Sequence, residues 1–228
     1  MASDKKIVSV WDPLVRIGHW TLVIAFFTAY FTEDGLMEVH TWAGYTVAAV
    51  VLIRLIWGFV GSKHARFSDF IYTPAKVFAY LKNLLTRKSQ HYIGHNPAGG
   101  VMVIALLLSL AGTTFTGMKL YAVEENEGPF AITAQQMKTG MNTVNVIATA
   151  KVSDDNDADE KSEVAKNGHA VDKQAEEYWE GLHEIFTNLT LLLVFLHIAG
   201  VIFSSIVDNE KLVKAMITGK KEIDDLYQ

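Results

Sequence analysis

Four runs of about 20 mostly apolar residues constrain this chain more than any other feature, because that is the length an α-helix needs to cross a bilayer. They lie at about residues 14–32, 40–60, 99–118 and 182–205, and none has a proline in its interior. Trp20, Trp42, Trp57 and Trp179 fall towards the ends of these runs, where amphipathic rings anchor at the membrane interface. The expected fold is all-α, an integral membrane four-helix bundle surrounded by membrane lipid. Residues 1–16 are polar and lead into an apolar run too long for an h-region, so no cleavable signal peptide is expected.

The remaining sequence is polar and unevenly charged. Thirteen Lys and Arg residues fall at the two termini and between the second and third runs, with none between the first and second and six spread over residues 119–180. By the positive-inside rule both termini of this multi-pass chain are expected to be cytoplasmic. After Thr73 and Pro74, an N-cap and a first helical residue, Val77, Phe78, Leu81, Leu84 and Leu85 recur at helical spacing among lysines. This predicts a cationic amphipathic helix lying on the cytoplasmic leaflet. Residues 119–180 form a long periplasmic loop insertion with thirteen carboxylates against six lysines, a net of −7. Its middle, 153–166, is expected to be disordered or highly solvated, and 143–152 alternates as a short strand would. The net charge of −5 gives no basis for nucleic-acid binding, and the absence of cysteine excludes disulfides, cysteine-ligated clusters and thioether-linked haem.

Ionisable residues inside spanning helices are costly and mark function. Four histidines qualify: His19, His40, His183 and His197. His183 and His197 are fourteen residues apart, which on a helix is about 21 Å of rise and about 40° short of four whole turns. One helix face therefore presents two imidazoles at two depths. The topology matches His19 with the deep His197 near the inner side, and His40 with His183 at the outer ends. Two bis-histidine pairs fit the axial positions of two b haems, and a zinc site would instead gather its ligands at one level. A lone histidine bonding across helices is the plainer reading of any one of them. Gly44 and Gly200 leave room for a flat macrocycle, and Arg54 and Arg16 suit its propionates. His64, His91, His95 and His169 read as ordinary surface residues, and Met137 and Met141 as loop packing.

The opening Val10-Trp11-Asp12-Pro13-Leu14-Val15-Arg16-Ile17-Gly18-His19-Trp20 resembles the start of bacterial cytochrome b561 and of the cytochrome b subunits of nickel–iron hydrogenases. The likeness continues through Trp42-Ala43-Gly44-Tyr45, Arg54 to Gly61, Ala65 to Phe70, Gly94-His95-Asn96-Pro97-Ala98-Gly99-Gly100 and Lys214 to Gly219. The resemblance implies a four-helix dihaem cytochrome with ligands on helices one, two and four. It also implies electron exchange with quinone, ubiquinone or menaquinone, and with a redox partner. An acidic outer loop would attract a basic periplasmic c-type cytochrome and repel superoxide. Electron transfer to a periplasmic protein therefore ranks above superoxide:quinone oxidoreductase and above anchoring a hydrogenase or dehydrogenase complex.

Overall fold

A computed structural model gives the structure and describes residues 5–86, 92–131, 157–207 and 211–224. Strand β1 (Lys5–Ser9) leads into helix α1 (Pro13–Thr32), and α2 (Met37–Val60) follows a short turn. A 3-10 turn at Phe67–Asp69 precedes α3 (Pro74–Leu85), then come α4 (Pro97–Glu124) and α5 (Asp157–Val207). Helix α6 (Leu212–Thr218) and strand β2 (Lys220–Asp224) complete the order. Four of these helices are long and apolar enough to cross a membrane: α1, α2, α4, and α5 from Lys173 onward.

Two helices outrun the spans read from the sequence. Helix α4 continues to Glu124 rather than stopping near 118, and α5 begins at Asp157 rather than near 182. The expectation of disorder for 153–166 is therefore corrected over 157–166, which are helical. The apolar window marks the part of a helix that suits lipid, whereas Ala, Glu and Lys, frequent in 157–180, sustain a helix in water. The alternating stretch 143–152, Met137, Met141 and His91 lie outside the described residues, as does the side chain of His169.

The chain folds as two compact units, 1–111 with 189–228, and 112–188. In the first, Ala25 and Phe26 of α1, Val47 and Val51 of α2, and Leu107 and Leu110 of α4 form the core, with Leu191 and Val194 of α5 packed against it. All four spanning helices thus meet in one bundle. The hydroxyls of Ser109 and Thr190, both buried, bond across α4 and α5 at 2.6 Å, the kind of polar link that joins helices where apolar contact alone gives no preference for protein over lipid. Many large apolar side chains face outward, among them Phe31, Phe59 and Ile206. Such a surface suits a hydrocarbon solvent and is far more apolar than water-soluble proteins expose. In the second unit, α4 and α5 pack through Phe115 against Trp179 (6.1 Å between ring centres) and through Gly112, where any Cβ would strike the Phe186 ring.

Helix α3 is amphipathic, but its faces divide differently from the sequence expectation. Tyr80 and Leu84 are buried and Val77 half-buried, while Phe78 and Leu81 stay exposed beside Lys82. Thr73 occupies the N-cap position with extended backbone, yet its side chain makes no capping bond.

The ends of the chain are tied together at one end of the first unit. Strands β1 and β2 pair antiparallel, Ser9 opposite Lys220, as an even number of spans allows. Asp12 caps α1 by accepting from Val15 N at 2.9 Å, with Pro13 at the first helical position. Its second oxygen accepts from Trp57 Nε1 at 3.0 Å and from the Ser62 hydroxyl, so the start of α1 is fixed to the end of α2. Burial works to raise the Asp12 pKa, but the donors at Ser62, Trp57, Val15 and Leu14 outweigh it and hold the carboxyl below its ordinary value. Asp12→Ala is expected to lower the thermal midpoint in detergent, since the cap alone contributes about 1 kcal/mol and Trp57 loses its acceptor. Ser62→Ala should have a smaller effect. Equal midpoints for both variants would show that the carboxylate is not the link.

Candidate functional site

Histidine positions on these helices follow from the apolar pattern, but their surroundings follow from packing. In the first unit α1 carries His19 and α5 carries His197, and the structure brings the two rings together with centres 6.4 Å apart and planes at 55°. Trp20 stands edge-on to His19 at 5.2 Å. His19 Nδ1 is buried without a hydrogen-bond partner.

His40 opens α2 and turns its Nδ1 to the carbonyl of Ala29 on α1 at 2.9 Å. A carbonyl can only accept, so Nδ1 is the donor here and Nε2 would be the nitrogen to ligate a metal. His183, in the second unit, is set the same way, with Nδ1 3.0 Å from the Thr113 carbonyl and 3.2 Å from Thr116 Oγ1. Fixing the tautomer through a backbone carbonyl is how proteins orient an imidazole that ligates metal through its other nitrogen. The sequence reading missed Thr113, Thr116 and Gly117 as supports of His183. Hydroxyls and a glycine within an apolar helix were the available signal. His40 belongs to the first unit and His183 to the second.

Arg54 of α2 lies against aromatic rings, its guanidinium carbon 5.4 Å from the centre of Phe67 and 5.9 Å from that of Phe70. Its Nη1 is buried without a hydrogen-bond partner. Arg16 donates from Nη1 to the Thr218 carbonyl at 3.1 Å, while its Nε is buried and unpartnered. A Cβ built on Gly44 or on Gly200 would meet nothing within 4 Å, so the bundle surface beside both is open.

His95 is the clearest departure from the sequence reading. Read as a surface residue, it is packed between Trp11 and Phe70, each with its ring centre 4.5 Å away. Its Nδ1 is buried and unpartnered. Burial, reinforced by the charge of Arg54, pushes its pKa down to about 3. His64 is half-buried and shifted down as well, by burial and then by Lys63.

A Cβ at Gly117 would lie 2.9 Å from His183 Cε1, whereas one at Gly181 would meet nothing within 4 Å. Gly117→Ala is therefore expected to displace the ring and weaken any metal group that His183 holds by about 10–100-fold, the usual effect of disturbing a ligand's support. Gly181→Ala should leave it unchanged. Haem content per chain measures the difference, and equal content in both variants would remove Gly117 from the site.

The sequence is similar to the probable Ni/Fe-hydrogenase B-type cytochrome subunit of Rhizobium leguminosarum bv. viciae, 28% identical over 151 residues, covering 53% of this chain and 62% of that one. It is also similar to the subunit of the same description from Azotobacter chroococcum mcd 1, 29% identical over 154 residues, covering 54% and 63%. A third, the probable Ni/Fe-hydrogenase 1 B-type cytochrome subunit of Escherichia coli (strain K12), is 24% identical over 151 residues, covering 54% and 63%. The matches thus span less than two thirds of these relatives' length. No solved structure gives a significant match. The profile of the family described as prokaryotic cytochrome b561 matches residues 10–219, nearly the whole sequence, and the chain is a multi-pass membrane protein belonging to that family.

Proposed function

We propose that this chain carries electrons across the bacterial inner membrane, both termini cytoplasmic, between membrane quinone and a periplasmic redox protein. The observation that carries the reading is the His19–His197 pair, 6.4 Å between ring centres. Imidazole nitrogens bind metals at about 2.0–2.1 Å, so two rings on opposite sides of one ion have centres roughly 6 Å apart. The residues fit a haem in other respects too. Nε2 is the ligating nitrogen of His40 and His183. Arg54 offers a buried, unpartnered donor for a propionate, and the surface beside Gly44 and Gly200 is open.

In this reading His19 and His197 hold an inner haem b, while the depths of His40 and His183 along the sequence pair them on an outer one. A b haem with both axial positions filled supplies one-electron transfer without an open site for oxygen. The chain's own part is to hold the imidazoles in one orientation, to keep the iron dry among apolar side chains, and to neutralise the propionates through Arg54 and Arg16. Quinone, ubiquinone or menaquinone, would dock near Arg16, Trp11 and α3, where cationic and aromatic groups stand at headgroup level.

The expected outcome of ligand removal is specific. His19→Ala and His197→Ala should each reduce two extractable haems to one and abolish the same redox transition. His40→Ala and His183→Ala should abolish the other. Loss of one transition by both His40→Ala and His197→Ala would overturn the pairing.

The partner on the outer side follows from charge. Thirteen carboxylates between Glu124 and Glu180 would steer a basic protein such as a soluble c-type cytochrome, raising the association rate more than the affinity. The names of the relatives favour a second reading, an anchor subunit that takes electrons from a hydrogenase. With a basic cytochrome the rate of haem oxidation should fall steeply with salt, as the Debye length shrinks from about 10 Å at 0.1 M to about 3 Å at 1 M. It should fall again when the carboxylates of 154–163 are neutralised. Rates indifferent to both, together with a co-purifying hydrogenase, would move the second reading into first place.

A further inference from the structure

Two buried hydrogen-bonding groups in the first unit lack partners and share one aromatic wall. Arg54 Nη1 is buried and unpartnered, and its guanidinium lies over Phe67 and Phe70. His95 Nδ1 is buried and unpartnered, and its ring packs against the same Phe70 from 4.5 Å. Asp12 lies within electrostatic reach of Arg54, but a buried guanidinium donor without an acceptor is still costly, and the usual remedy is an anion placed against it. Asp12 does not fill that role by hydrogen bonding, because its oxygens are taken by Val15, Trp57 and Ser62.

The surroundings hold His95 rigidly. Tyr72 donates its hydroxyl to the His95 carbonyl at 3.2 Å, and Asn96, the next residue, accepts from Gly99 N at 2.7 Å. Gly100 lets this turn approach α3's entry closely, since a Cβ there would lie 2.3 Å from the Phe70 carbonyl oxygen. Trp11 closes the other side at 4.5 Å. The ring therefore cannot swing away to find water. Trp11, which packs on the His95 ring, and Arg16 both lie against Gly219, and Arg16 stands one helical turn before His19, which puts His95 at the His19 end of the first unit.

We propose that Arg54 Nη1 and His95 Nδ1 together hold one carboxylate, the propionate of the haem ligated by His19 and His197, and that His95 is a positioning residue for that haem. This rests on the proposed inner haem and adds to it a residue that the ligand set does not require. The neutral imidazole, with its proton on Nδ1, donates to one oxygen of the carboxylate, and the guanidinium donates to the same group. No other chemistry is asked of either side chain. Removing the imidazole donor leaves the carboxylate less compensated, which favours the more positive oxidised iron and lowers the inner haem's midpoint potential.

The test is a redox titration of the complete dihaem protein, with the outer haem as internal reference. His95→Leu is expected to shift the oxidised-to-reduced ratio of the inner haem about tenfold towards oxidised, about 59 mV for one electron. His95→Gln, which keeps a donor, should stay close to wild type. Arg54→Gln should shift in the same direction, and the double variant should shift by less than the sum of the two, as expected when both donors serve one group. Loss of the inner haem alone in His95→Leu, with retention in His95→Gln, supports the proposal equally. An inner haem of unchanged potential in both His95→Leu and Arg54→Gln overturns it. Equal shifts in His95→Leu and His95→Gln also overturn it, because packing rather than donation would then be at work. So does an unchanged potential accompanied by lost binding of a quinone analogue, which would give the donors to quinone. If His19→Ala removes no haem at all, the failure lies with the inner haem itself and not with His95.

Discussion

Hydrocarbon offers no hydrogen bonds, and most of what this structure does with its polar atoms follows from that. The backbone is satisfied inside the helices, leaving only side chains to place. Several within the spans turn to a carbonyl or hydroxyl nearby. Thr32 bonds the Thr28 carbonyl, Thr46 that of Trp42 and Thr116 that of Gly112. Ser109 and Thr190 bond each other. Among the described residues the buried atoms without a hydrogen-bond partner include His19 Nδ1, Arg16 Nε, Arg54 Nη1 and Thr187 Oγ1 on the spanning helices and His95 Nδ1 in the loop before α4.

The imidazoles fall into two kinds. His40 and His183 are held by backbone carbonyls, Ala29 and Thr113, so their orientation is part of the helix packing itself. His19 and His197 face each other across α1 and α5, with Trp20 beside one of them. The first kind is rigid, because a carbonyl in a helix has nowhere to move. The second kind leaves His19 Nδ1 without a hydrogen-bond partner, so its ring is oriented by packing.

Rigidity at the end of the first unit has its own devices. Asp12 joins α1 to α2, while Gly219, with φ of +79°, accepts from Val10 N at 2.8 Å through its carbonyl. A side chain at Gly219 would strike Arg16 Nη1 and the Trp11 carbonyl, and the left-handed backbone disfavours any other residue there. Trp11 and Arg16 are thereby tied to both ends of the chain, and these are the residues beside which His95 and the proposed quinone position lie.

The sequence by itself determined the number and approximate places of the spanning helices, because apolar length is a local property and lipid rewards it directly. It determined which histidines sit inside them, while the Asp12 cap and Pro13 first turn of α1 emerged only in the structure. It could not give the true ends of α4 and α5, since helix propensity outlasts the apolar run, nor the division of α3, where Tyr80 rather than Phe78 turns inward. The burial of His95 was hidden as well. Its position in a connecting loop made exposure the default, and only the packing of Trp11 and Phe70 around it takes it out of water. Which nitrogen of His40 and His183 carries the proton was likewise decided by the tertiary structure, because the carbonyls that set it come from neighbouring helices far away along the chain or across a turn.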